Sequence, residues 1–167
     1  MPPITVVDSS LMIEADRRGV LDELEIYLRE NISVSPPKVF EETVTEARKV
    51  GYVDSANRIE GLFNTGALRV VEPDYSDHKI SRIVDGVREC IARKSCKPIH
   101  MVERTDLDIV ALAAGYAKAG AKVILIFRDK ALRECLELEL ARQKIFGVTV
   151  VDFARLVDEL TSRSRRR

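Results

Sequence analysis

Lys122-Val123-Ile124-Leu125-Ile126-Phe127-Arg128-Asp129 is the stretch on which the fold turns. Its apolar residues are continuous rather than alternating, the pattern of a strand covered on both faces, and an acid closes it. Upstream, Thr105 opens a helix rich in small residues that Gly120 ends near Ala119. Downstream, a helix is predicted to about Gln143, then the strand Val148-Thr149-Val150-Val151 and a last helix over Asp152 to Leu160. The amino-terminal half repeats this alternation. Ile4-Thr5-Val6-Val7 is a short strand ending in Asp8-Ser9-Ser10, the composition of a helix cap. A helix from about Leu11 to Glu30, broken near Gly19, leads to the strand Ile32-Ser33-Val34-Ser35, which Pro36-Pro37 halts.

Further helices are predicted over Lys38 to Val50 and Ser55 to Phe63, then a strand at Leu68-Arg69-Val70-Val71. Ser76 or Asp77 caps a helix to about Arg93, with Ile80, Ile83, Val84, Val87 and Ile91 on one face. Pro98 to Val102 reads equally as strand or loop. Alternating strands and helices imply an α/β three-layer sandwich around a central, mostly parallel sheet of four or five strands. Residues 1–161 form the expected single domain and 162–167 a basic carboxyl-terminal tail. Right-handed crossovers bring the carboxyl ends of parallel strands to one edge, where ligands bind.

The chain has 167 residues, enough for one domain with a real core. Lys and Arg total 27, as do Asp and Glu, so the formal net charge of +0 excludes a broadly polybasic nucleic-acid coat. With 46% hydrophobic and 32% charged residues, wholesale disorder is excluded too. No apolar run approaches the ~20 residues needed to span a bilayer, and the start lacks the pattern of a signal peptide, so a cytoplasmic location is expected. Cys90, Cys96 and Cys135 form no CxxC pair, and His78 and His100 are far apart. Neither a zinc site nor a disulfide framework is expected from them.

Acids mark the sheet's predicted carboxyl edge. Asp8 follows the first strand, Asp129 follows the Val123–Phe127 strand, Glu41 and Glu42 open the helix after the second strand, and Asp106 and Asp108 open the helix before Gly120. Two unit charges about 4 Å apart repel by roughly 4 kcal/mol at an effective dielectric near 20, so such a cluster needs protons or a divalent cation. Oxygen-only ligation suits Mg²⁺ or Mn²⁺, and the matching chemistry is metal-assisted hydrolysis of a phosphodiester. Each acid also has a bland reading. Asp8, Asp129 and Asp152 stand where helices begin, Thr105 and Asp108 have the spacing of a capping box, and Glu42 suits a helix's first turn.

At ~100° per residue, Val39, Thr43, Ala47 and Val50 share a face with Phe40 and Val44; Glu42 flanks that face and Glu41 points away. The same wheel places Asp106 with Ile109, Val110, Ala113 and Tyr116, and Asp108 away from them.

The order Val6-Val7-Asp8-Ser9-Ser10, Pro37-Lys38-Val39-Phe40-Glu41-Glu42, Thr105-Asp106-Leu107-Asp108-Ile109 and Val123 to Asp129 resembles the PIN-domain family of nucleases over nearly the whole chain. The resemblance implies Asp8, Glu42, Asp108 and Asp129 as catalytic, metal-binding acids, with Ser9, Ser10 and Asp106 in support. It implies Mg²⁺- or Mn²⁺-dependent cleavage of RNA, and it brings homodimers and antitoxin-like protein partners into view. Wheel and motif differ over Asp106 and Asp108; the motif's Asp108 is preferred because wheels fail most in the first turn. Phe127 occupies a position where the family often has a small hydroxyl residue, which motivates an alternative: a catalytically weak or inactive PIN-like module that binds RNA or a protein.

Arg128 and Lys130 flank Asp129 and are the expected contacts to substrate phosphates; Arg17 and Arg18 are further cations of the first helix. The arginines of the tail add nonspecific affinity or form a frayed end. A phosphoacceptor receiver domain fits poorly, since Asp8 is followed by serines, and the absence of a Gly-rich loop argues against a nucleotide-binding enzyme. The segment Tyr75 to Lys94 reads as an insertion of open role.

Overall fold

A computed structural model describes residues 2–167. Its strands are β1 (Ile4–Val7), β2 (Ile32–Ser35), β3 (Arg69–Val70), β4 (Val123–Ile126) and β5 (Val148–Val151), joined in one sheet of order β3-β2-β1-β4-β5. Every pairing is parallel, with Val6 opposite both Val34 and Leu125, and Val7 opposite Ile126. All four residues of β1 are buried, as the central strand of a doubly covered sheet must be. The chain winds outward from β1 through β2 to β3, then returns to the other side of β1 for β4 and β5. The crevice between the carboxyl ends of β1 and β4 is therefore the topological switch point.

The helices are α1 (Ser9–Arg17), α2 (Leu21–Arg29), α3 (Pro37–Phe40), α4 (Ala47–Lys49), α5 (Val53–Asn64), α6 (His78–Ser95), α7 (Arg104–Lys118), α8 (Lys130–Arg142) and α9 (Phe153–Arg165). One group joins α6 to α7 and α8, with α7 against β1 and β4; another joins α1 and α2 to α5 and α9, with α2 against β2. Between them lies one core that includes Leu11, Met12, Leu24, Ile83, Ile109, Leu125 and Leu136. Gly19, at φ +70°, makes the predicted break between α1 and α2, a conformation that costs little only without a Cβ. Asp77 caps α6, its carboxylate accepting from the Lys79 and Ile80 amides, and the five apolar residues assigned to that helix's inner face are all buried.

The structure departs from expectation in four places. Residues Glu41–Glu46 form a π turn between α3 and α4. Its i→i+5 bonding turns the chain less per residue than an α-helix does. Val39, Thr43 and Val44 are buried as the wheel requires, whereas Val50 at the end of the register is 71% exposed. Pro98 to Val102 is neither strand nor simple loop, since Ile99–Met101 make one 3₁₀ turn. The last helix passes its expected end at Leu160 and runs to Arg165, with Arg163 donating to Glu159 one turn earlier.

The cysteines are the fourth. Cys90 and Cys135, expected to be unpaired, are disulfide-bonded between α6 and α8, and Cys96 is free and exposed. Their 45-residue separation shows no local spacing signal; the pair exists because α6 packs closely on α8. Gly86 marks that closeness, for a Cβ there would stand 2.4 Å from the carboxyl carbon of Glu139.

Candidate active site

Asp8 leaves β1 with extended backbone and caps α1. Its Oδ1 accepts from the Ser9 amide at 2.7 Å and its Oδ2 from the Ser10 hydroxyl at 3.3 Å. The Ser9 hydroxyl turns the other way and donates to Glu42 Oε2 at 2.8 Å. Glu42 Oε1 accepts from the hydroxyl of Thr105, in the first turn of α7. Glu42, carried by the π turn, is thus tied to both neighbouring helices. Asp129 caps α8, its Oδ1 accepting from the Ala131 and Leu132 amides at 2.8 and 3.2 Å. Capping and a place at the carboxyl edge coincide in Asp8 and Asp129.

Electrostatics identify the fourth carboxyl of the group. Asp106 is half-buried, and its pKa is pushed up to about 7, first by burial and then by the charges of Asp8, Glu103, Asp129 and Glu42. Asp8 is also raised, chiefly by burial; the Ser9 amide and Ser10 hydroxyl oppose the rise, while Glu42 and Glu103 add to it. The charges of Asp8, Glu42 and Asp129 thus all bear on Asp106, and that of Glu42 also bears on Asp8. Asp106 and Asp108 are two residues apart, roughly 200° around a helix, so they serve different surroundings.

Asp108 is buried against a different set of groups. Its Oδ1 accepts from Arg104 Nε at 3.1 Å and from the Tyr75 hydroxyl, and the Arg104 guanidinium stands 5.3 Å from the centroid of the Tyr75 ring. Burial and then the Asp108 carboxylate hold the Tyr75 hydroxyl well above its ordinary value. The segment beginning at Tyr75 thereby ties down the first turns of α7. Thr105 and Asp108 do not form the capping box: α7 begins behind Glu103, which makes no side-chain cap bond.

The flanking cations are separately placed. Arg128 lies over the ring of Phe153, 4.8 Å from its centroid, with Nη2 3.8 Å from Glu14 Oε2. Lys130 is exposed, 3.9 Å from Glu134. Phe127, just past β4, is buried. His78 begins α6 and His100 sits in the 3₁₀ turn, both exposed. Two participants were not singled out from the sequence for this site: Glu103, which adds negative charge, and Thr105, which orients Glu42. The hydroxyl of the Thr-x-x-Asp motif was the available signal for Thr105.

Among the described residues, no three Asp, Glu, His or Cys side chains converge closely enough to enclose a cation directly. The donor chemistry nevertheless fits a hard divalent ion that keeps much of its water, since Mg²⁺ is commonly held by only one or two carboxylates. The group presents carboxylate oxygens alone, and its mutual repulsion favours positive charge between them.

Among the described residues no helix is long and apolar enough to cross a membrane. No curated protein matches the chain. The family model for the halobacterial PIN domain matches residues 1–165, essentially the whole sheet and all its covering helices. The chain therefore belongs to the PIN-domain family, whose members are generally nucleases.

Proposed function

We propose that this protein is a Mg²⁺- or Mn²⁺-dependent endoribonuclease whose ion binds at the switch point among Asp8, Glu42, Asp106 and Asp129, through one or two of these carboxylates directly and the others through its water. The observation that carries the reading is Asp106, a carboxyl raised to about 7 by burial and by the other acids around it. A carboxyl raised this far by burial and by neighbouring acids, at the carboxyl edge of a parallel sheet, is a functional-site candidate. In this reading Asp106 takes the part that the motif assigns to Asp108, because Asp108 is already neutralised by Arg104 and bonded by Tyr75.

When bound, a divalent ion supplies Lewis-acid charge for the attacking and leaving oxygens of phosphodiester hydrolysis. The chain's own residues supply placement. Asp8 is fixed by the start of α1, Asp129 by the start of α8, and Glu42 by two hydroxyls from different helices, so each carboxylate is held in place before an ion arrives. Without an ion, protonation of Asp106 as the pH falls below about 7 limits the repulsion. RNA is the expected substrate from family membership, with Arg128 and Lys130 available to its phosphates. The test is cleavage of a labelled single-stranded RNA with Mn²⁺ by the wild type, Asp8→Asn and Asp106→Asn. The proposal expects each variant to lose at least a hundredfold in rate with the fold intact by circular dichroism; wild-type turnover in both sinks it.

A second reading, a PIN-like module that binds RNA or protein without cutting, is favoured by the open spacing of the acids and by Phe127 near the last of them. Calorimetry separates the two: a non-catalytic scaffold binds Mn²⁺ weakly and does not depend on Asp8. Homodimerisation and an antitoxin-like partner belong to the proposal only as family expectations, to be checked by sedimentation.

A further inference from the structure

Beside the acids, between the β4–α8 and β5–α9 connections, lies a cleft of about 300 Å³. Arg18, Arg128, Lys130 and Arg133 line it above apolar residues that include Phe127 and Phe153. Two acids share the lining, Asp129 and Asp152, and each also accepts backbone N–H bonds as a helix cap. Four cations against two acids give the lining a formal charge of +2. The volume is at the lower end of the range for small-molecule sites, which suits one nucleotide unit rather than a duplex.

The arginines here are organised from beneath. Glu14 of α1, with a side chain only 8% exposed, accepts from Arg17 at 2.7 Å and from Arg18 at 2.9 Å, and its other oxygen lies 3.8 Å from Arg128. Arg18 also reaches Asp158 at 3.2 Å, and Arg128 is braced on the Phe153 ring. Each guanidinium has five N–H donors, and these contacts leave several free to take a phosphate oxygen. Glu14 is itself a largely buried carboxylate, so its arginines also answer its own desolvation while being held at the cleft. Asp129 belongs to both the cleft and the acidic group, so a phosphate held by the arginines lies next to the place where the backbone would be cut.

We propose that this cleft is the subsite for the phosphate adjoining the scissile one on a single RNA strand, with Glu14 as the positioning residue that holds Arg18 and Arg128 there. The choice of RNA rests on the nuclease reading above. The charge of the cleft offsets the repulsion that the acids exert on an approaching backbone.

The test is binding of a labelled single-stranded RNA by fluorescence anisotropy in EDTA, where no metal-dependent cleavage occurs. Arg128→Ala and Arg133→Ala are each expected to weaken binding roughly tenfold. Each also lowers the slope of log affinity against log salt by about 0.7, the value for one phosphate contact on a single strand. Arg48→Ala, a cation removed from α4 outside the cleft, is expected to bind like the wild type. Glu14→Gln gives the sharpest result, because removing a negative charge should tighten RNA binding by charge alone, whereas lost positioning loosens it.

Wild-type affinity in both arginine variants, or equal weakening in Arg48→Ala, overturns the subsite; unchanged or tighter binding in Glu14→Gln overturns the role of Glu14. Failure of the nuclease reading is read separately. In that case the arginine variants still lose affinity, but no form of the protein cuts RNA with Mn²⁺.

Discussion

Ser9 and Glu42, 33 residues apart, are joined by a 2.8 Å hydrogen bond from the Ser9 hydroxyl to Glu42 Oε2. The bond couples the first turn of α1 to the π turn, and Thr105 completes the arrangement from α7. Ser9→Ala and Thr105→Val each remove one donor from a carboxylate, a bond type worth about 1.5–3 kcal/mol. Each is expected to reduce RNA cleavage about tenfold at limiting Mn²⁺ and less at saturating Mn²⁺, while Ser10→Ala, which loses only the 3.3 Å bond to Asp8, does less. Rates measured across a Mn²⁺ titration check the order.

Asp106 makes the metal-free protein sensitive to pH. Its pKa of about 7 lies above the ordinary 3.8, so the folded state binds this proton more tightly than the unfolded chain does. The resulting stabilisation is fully present below about pH 4 and is lost as pH rises through 7. Between pH 5 and 8 in EDTA the wild type should lose about 2 to 3 kcal/mol relative to Asp106→Asn. Urea melts of both proteins at the two pH values measure the difference; parallel behaviour would show that Asp106 is not crowded by charge.

Cation binding should reverse that penalty. At a Mn²⁺ concentration one hundred times its Kd, linkage stabilises the folded state by roughly 3 kcal/mol. Thermal melts should therefore rise with Mn²⁺ in the wild type, and the rise should vanish in Asp8→Asn and Asp106→Asn. Asp108→Asn is expected to behave differently: its baseline stability falls because Arg104 and Tyr75 lose their carboxylate, but its Mn²⁺-dependent rise persists. A vanished rise in Asp108→Asn would return the metal-binding role to the position the motif indicates.

The Cys90–Cys135 bridge closes a 45-residue loop, which by the chain-entropy relation corresponds to about 4 kcal/mol. Dithiothreitol should lower the melting temperature of the wild type and leave that of a Cys90→Ala, Cys135→Ala double variant unchanged. None of the acids is carried by α6, and Asp129 stands more than a turn before Cys135 at the start of α8, so reduction should not alter Mn²⁺ affinity at temperatures where both forms are folded.

The strands were legible because each is a short run rich in β-branched residues between turn or cap signals, and the acids at the ends of β1 and β4 because an acid after such a run stands out. Ile4–Val7 with Asp8 and Val123–Ile126 with Asp129 are the clearest cases. Three features depended on information that a linear pattern lacks. The π turn changes the helical repeat midway, which displaced Val50 from its expected face. The contact between α6 and α8 brings Cys90 to Cys135 without any local spacing. A helical wheel separates Asp106 from Asp108, and Arg104 stands one turn before Asp108 on the same helix, yet only tertiary packing supplies Tyr75 to Asp108 and the charges of Asp8, Glu42 and Asp129 to Asp106.

The strand order carries a consequence for dissection of the molecule. β1 sits in the middle of the sheet, so the acids across its edge come from both arms of the chain: Asp8 and Glu42 precede β3, and Asp106 and Asp129 follow it. A polypeptide severed in the loop after β3 would yield two pieces, each with half of the carboxylates and an unmatched sheet edge. Neither piece alone could reconstitute the constellation, and recovery of it after mixing would report that β1 and β4 had found each other.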